Sequence, residues 1–154
     1  MMSRNEDVVT TENVSPETLL KEGKIIRIRP TGFSMYPLIY PERDEIILAP
    51  VGERRLKRGD VVIFRRKDGL LILHRIFRIR KNGYYIIGDN SPYVDGPVNR
   101  EDICGIMTGF YHKGHYYGEK NVLYKASVHV WLILRPVRGI ISKAAYKVKK
   151  LIKH

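Results

Sequence analysis

With 154 residues, 44% of them hydrophobic and 29% charged, the chain fits one globular domain with a modest core and is excluded from the disordered and fibrous classes. Its net charge of +12 is unevenly placed: nine of the 28 basic residues and none of the 16 acidic ones follow Glu119, leaving +3 for positions 1–119. The single cysteine, Cys104, excludes an internal disulfide framework and is compatible with a reducing compartment.

The opening "MMSRNEDVVTTENVSPETLL" is polar and of mixed charge, without the apolar run of a secretory signal, so a cytoplasmic protein is expected. "SPETLLKEG" predicts a short helix with Ser15 as cap, Pro16 in the first turn and Gly23 as stop. Strands then take over. "KIIRIRP" alternates, "DEIILAPV" follows the turn "TGFSMYPLI", "DVVIFRR" and "LLILHRIFRIR" flank "KDG", and "YYIIGD" follows "KNG". "DICGIMTGFYHKGHYYG" adds a strand pair around "HKG", with Cys104 as a quiet core thiol. Between Lys24 and Glu119 the chain therefore reads as mostly antiparallel β without repeats.

Beyond Glu119 the nearest approach to a membrane span is "VHVWLIL", far short of the ~20 apolar residues that crossing requires. Val137, Ile140, Ile141, Ala144, Ala145, Val148, Leu151 and Ile152 recur at helical spacing, with Arg138, Lys143, Lys147, Lys149, Lys150 and Lys153 on other faces. This cationic amphipathic helix has three readings: a membrane-surface anchor, a partner-binding helix, or a helix packed on its own domain with a solvated basic face. An anionic membrane surface met through residues 137–153, with the protein peripheral on the inner face, is the expectation carried forward. No nucleic-acid partner is expected, because the body lacks a known binding module or a basic stripe interleaved with aromatics. The predicted organisation is an N-terminal arm and short helix (1–23), a β domain (24–119) and a basic amphipathic tail (120–154).

Chemistry in such a body must come from residues that break the local pattern. Ser34 sits between an aromatic and a methionine, after a glycine and before a proline, and His74 interrupts the apolar run "LLILHRIF". Taken singly, they read as a turn serine and a satisfied structural histidine. Taken together, they offer a hydroxyl and the neutral imidazole needed to accept its proton during attack on a carbonyl. His112 and His115 in "HKGH" lie in a hairpin turn without a carboxylate or cysteine cluster, and neither "YVDGP" nor "VGERRLKRGD" has the spacing of a phosphate loop. No metal, nucleotide or other cofactor is expected.

Five motifs now stand in order: "GFSMYPL", "RGDVVIFRR", "ILHRIFRI", "YYIIGDN" and "EDICGIMTGF". Over roughly residues 27–112 they resemble the signal peptidase superfamily of serine peptidases, whose mainly β, antiparallel fold is shared with the self-cleaving SOS-repressor peptidases. The resemblance implies a serine endopeptidase acting on an extended peptide or precursor protein, with Ser34 as nucleophile, and Met35 and Pro37 matching the S-M-x-P turn. The reading "HR" follows the histidine-base branch, that of endoplasmic-reticulum and sporulation signal peptidases, and implies His74 as general base with Arg75 beside it. Common bacterial signal peptidases and the SOS repressors place lysine there. "GDN" implies Asp89 as the third member, with Asp95 as the alternative; Glu101 and Asp102 begin the last matching strand. Ser34's own N–H is the expected oxyanion donor, and Thr31, Gly32, Phe33, Met35 and Pro37 the expected oxyanion and substrate groove. The pattern departs from the family at Phe33 and Gly32, where signal peptidases show S-G-S-M, so Thr31 is the nearest substitute for the first serine. An N-terminal membrane anchor and the repressors' Ala-Gly or Cys-Gly cleavage site ahead of Ser34 are likewise not seen in the sequence. The rival class is a catalytically silent peptide- or membrane-binding module that keeps the fold.

Overall fold

Hydrophobic alternation in the body is translated into one nine-stranded sheet in the computed structural model, which describes residues 9–10 and 13–152. Most of the expected N-terminal arm and the tail's Lys153 lie outside the described residues, as do the side chains of Ile141, Ala145 and Lys149. The elements are β1 (Val9–Thr10), α1 (Pro16–Lys21), β2 (Ile26–Ile28), β3 (Glu45–Pro50), β4 (Val61–Arg65), β5 (Leu71–Arg80), β6 (Gly83–Ile87) and β7 (Val94–Val98). After a 3₁₀ turn at Arg100–Asp102 come β8 (Ile103–His112), β9 (His115–Gly118), α2 (Val122–Ile133) and α3 (Arg135–Ile152). The protein is mainly β, as expected, with the expected short helix α1 near its N-terminal end.

Sheet order is β1-β2-β3-β8-β4-β5-β6-β7, with β9 also pairing β8. Pairing is antiparallel except between β1 and β2. The long strand β8 holds the sheet together: β3 runs along one side, while β4 takes its first half and β9 its second half on the other. Central β4 is buried on both faces, which explains why "VVIF" does not alternate. Val61 and Ile63 join one core with Leu19, Leu20, Ile46 and Met107, while Val62 and Phe64 join a second with Ile76, Ile86 and Ile106. Cys104 is half-buried beside the first core, and burial pushes its thiol pKa up.

The sequence reading assigned no strand to residues 94–98. "VDGPV" nevertheless pairs with β6 as an outermost strand, where a proline's missing donor is tolerated. The tail is two helices rather than one. Leu134 separates them, and Pro136 sits in the first turn of α3, where its missing N–H costs no helical bond. Asn121 caps α2 by accepting the Tyr124 N–H at 2.9 Å, and α2 turns Val128 and Leu132 inward.

Candidate active site

Ser34 lies in the turn segment 32–39, closed by Tyr36 N–H to the Phe33 carbonyl at 3.1 Å and Ile39 N–H to the Met35 carbonyl at 3.0 Å. Met35 and Ile39 are buried and fasten the turn to the first core, while Phe33 is 68% exposed. Just beyond the turn, the buried Asp44 carboxylate accepts the Tyr40 N–H at 2.8 Å and meets His112 Nδ1 at 2.6 Å. From the other side, Asn90 N–H donates to the Ser34 carbonyl at 2.7 Å, tying the turn to the exit of β6.

His74 on β5 stands opposite Val62 of β4, with its ring buried. Between it and Ser34 lies Gly88. A Cβ built there would sit 3.0 Å from His74 Nε2, 3.1 Å from Ser34 Cβ and 2.8 Å from the Ser34 carbonyl oxygen. Serine and imidazole therefore close on the same point, and a residue without a side chain is what lets them do so. Among the described residues no hydrogen bond joins Ser34 to the His74 ring. Gly88→Ala should displace the Ser34 turn or the His74 ring: we expect a loss of about 1–3 kcal/mol in stability, measured by denaturant melts.

The opposite ring nitrogen, His74 Nδ1, is buried and forms no well-aligned hydrogen bond; its facing acid is Asp95 Oδ2 at 3.4 Å. Burial lowers the His74 pKa from its ordinary value, and the Asp95 charge only partly offsets this. Burial thus favours the neutral ring, the form that can accept a proton.

Asp89, expected behind His74, is instead turned to Arg75. Its Oδ1 accepts from Arg75 Nε at 2.8 Å and its Oδ2 from Arg75 Nη2 at 2.7 Å, with both side chains essentially inaccessible. The reason is parity. Neighbouring residues on a strand point to opposite faces, and the register pairs Arg75 with Ile87, Ile76 with Ile86, and Ile86 with Asp95. That sets His74, Gly88 and Asp95 on one face and Arg75 and Asp89 on the other. Arg75 also donates to the Gly59 carbonyl at 2.8 Å and to Tyr124 Oη at 3.3 Å. Burial works against its charge, but Tyr124 and Asp89 outweigh burial and hold its pKa above the ordinary arginine value.

Of the expected groove residues, Thr31, Gly32 and Phe33 are exposed beside Ser34, Met35 belongs to the core, and Pro37 lines a 270 Å³ cavity with Tyr40, Phe110 and His112. A larger 500 Å³ cavity, lined by Arg58, Asp60, Tyr117, Lys125 and His129 among others, contains none of Ser34, His74 and Asp95. Ser34, His74 and Asp95 thus sit apart from this cavity. Sequence reasoning missed Gly88, whose role depends on what approaches it, and the tail residues that reach the site. Tyr124 meets Arg75, while Trp131 Nε1 donates to the Asp89 carbonyl at 2.8 Å and Arg138 Nη1 donates to the same oxygen. Among the described residues no cluster of metal-ligating side chains is found.

The family model described as Peptidase S24-like matches residues 3–109, more than half of the chain, and the chain belongs to that family. The family includes serine peptidases and self-cleaving domains. No curated protein matches the sequence.

Proposed function

We propose that this Peptidase S24-like protein is a serine endopeptidase of the histidine-base type, with Ser34 as nucleophile, His74 as general base and Asp95 orienting the imidazole. The observation that carries this reading is the convergence of Ser34 Cβ and His74 Nε2 on the space above Gly88. In the proposed reaction Ser34 Oγ attacks the scissile carbonyl of an extended peptide as its proton passes to His74 Nε2. The oxyanion is met by the Ser34 N–H. Collapse breaks the C–N bond, the leaving amine takes the proton from His74, and water, activated by the same ring, hydrolyses the acyl-enzyme to regenerate Ser34. Asp95 favours the tautomer with hydrogen on Nδ1 and stabilises the transient imidazolium. Asp89 has a different part: it neutralises Arg75 and so fixes the segment carrying Gly88 and Asn90. Exposed Phe33 and Tyr36 flank the serine and are the side chains that an extended substrate crossing the turn would meet.

Digestion of a mixed peptide library, with products read by mass spectrometry, tests the activity. Its pH dependence tests the base. Because burial lowers the His74 pKa, kcat/KM should be flat near neutrality and fall only as the pH drops through an inflection below 6.5. Asp95→Asn should lower kcat by about 10²- to 10⁴-fold. It should also move that inflection to still lower pH, since the Asp95 charge raises the His74 pKa. An unchanged inflection would remove Asp95 from the proposed role. The long 3.4 Å His74–Asp95 contact favours a second reading, a silent peptide-binding module, under which the library is retained but never cut.

A further inference from the structure

The two C-terminal helices carry a second feature, independent of the peptidase reading. On α2, the face bearing Val128 and Leu132 packs inward, while Val122, Val130 and Ile133 on the other side are 55–77% exposed. On α3, Val137, Ile140, Val148 and Leu151 recur at spacings that share one face and are 41–76% exposed. Exposed Lys143, Lys147 and Lys150 border that face. No described helix is long and apolar enough to cross a membrane.

We infer that the exposed apolar faces of α2 and α3 dock on an anionic lipid bilayer, with the helices lying in the interfacial plane. Charge decides between occupants. Residues 120–154 hold nine cations and no anion, so a second copy seated on the same face would bring two such sets together, whereas an anionic headgroup layer neutralises them. The pair is also fastened to the body beside the candidate site. Arg135 lies over the Phe77 ring at 4.4 Å, Arg138 over Trp131 at 4.8 Å, and both Trp131 and Arg138 hold the Asp89 carbonyl one residue from Gly88. Docking of these helices is thus in direct contact with the segment that separates Ser34 from His74.

Co-sedimentation of the full chain with phosphatidylglycerol–phosphatidylcholine vesicles tests this, with pure phosphatidylcholine vesicles as the control. Binding should be strong on the anionic vesicles at low salt, weak on the neutral ones, and released as salt rises. Neutralising Lys143, Lys147 or Lys150 with glutamine should weaken partitioning about fivefold each. The triple variant I140S/V148S/L151S should lose binding while the emission of Trp131, the sole tryptophan, stays as in the wild type without vesicles, showing that the helices remain packed. Equal binding to neutral vesicles, full binding by the triple variant, or no sedimentation of the wild type would overturn the inference. So would vesicle-free dimerisation that requires the same apolar residues, which would assign the face to a second copy. Ser34→Ala should bind vesicles like the wild type, so failure here and failure of the peptidase reading are separable.

Discussion

Ser34→Ala and His74→Ala should each lower cleavage of a peptide substrate by about 10⁴- to 10⁶-fold, and the double variant should be no worse than either alone. The non-additivity is the informative part. A nucleophile without its base, and a base without its nucleophile, lose the same step, so removing the second partner costs nothing further. Both variants should keep the fold. Ser34 is only half-buried, its carbonyl bond from Asn90 is made by backbone and survives truncation, and Met35 and Ile39 still anchor the turn. Truncating His74 leaves a small void but also removes a buried Nδ1 that has no well-aligned partner. The measurement is kcat/KM on a peptide selected from the library, with circular dichroism melts alongside. Cleavage by Ser34→Ala at the wild-type rate would end the serine mechanism, and additive losses would show that the two residues act in separate steps.

Arg75→Ala should severely destabilise the fold. It leaves the Asp89 carboxylate, 2% exposed, without its paired guanidinium, and it strips the Gly59 carbonyl and Tyr124 hydroxyl of their donor. Breaking a buried pair from one side costs about 3–5 kcal/mol, a fall in Tm on the order of 10 °C for a domain of this size. Asp89→Asn should destabilise in the same direction, and Arg75→Met combined with Asp89→Asn should recover much of the loss, because removing both charges also removes their desolvation. The contrast with Asp95→Asn then separates the two acids. Asp89 variants should lose stability and activity together, while Asp95→Asn should lose activity and shift the pH profile with its melting temperature nearly unchanged. A thermally silent Arg75→Ala would show that the pair does not support the site.

Much of this architecture was legible from residue order. The short helix read between Ser15 and Gly23 is α1, trimmed at its ends, and the hairpins at "KDG", "KNG" and "HKG" are present, because turn chemistry and two-residue alternation are local properties. Strand β7 escaped because glycine and proline argue against a strand wherever its edge position is unknown. The tail's amphipathic pattern was readable, but the docking of Tyr124, Trp131 and Arg138 was not, since it depends on surfaces supplied by residues about 42–49 positions away.

The third acid shows where the sequence stops. Counting back from the "KNG" turn, Arg80 pairs with Gly83, Ile79 with Tyr84 and Arg78 with Tyr85, and an unbroken ladder would continue to set His74 opposite Asp89. The register instead slips by one between Ile76 and Arg78, a bulge at Phe77, so that Arg75 pairs with Ile87 and Asp89 comes round to the arginine. One extra residue exchanges the two faces of the strand. Composition and pattern thus determined a β domain, its hairpins, a serine-bearing turn and a histidine strand. Which carboxylate faces which base was decided only in the sheet, because a bulge is settled by packing on both sides of β5 and leaves no mark in the order of residues.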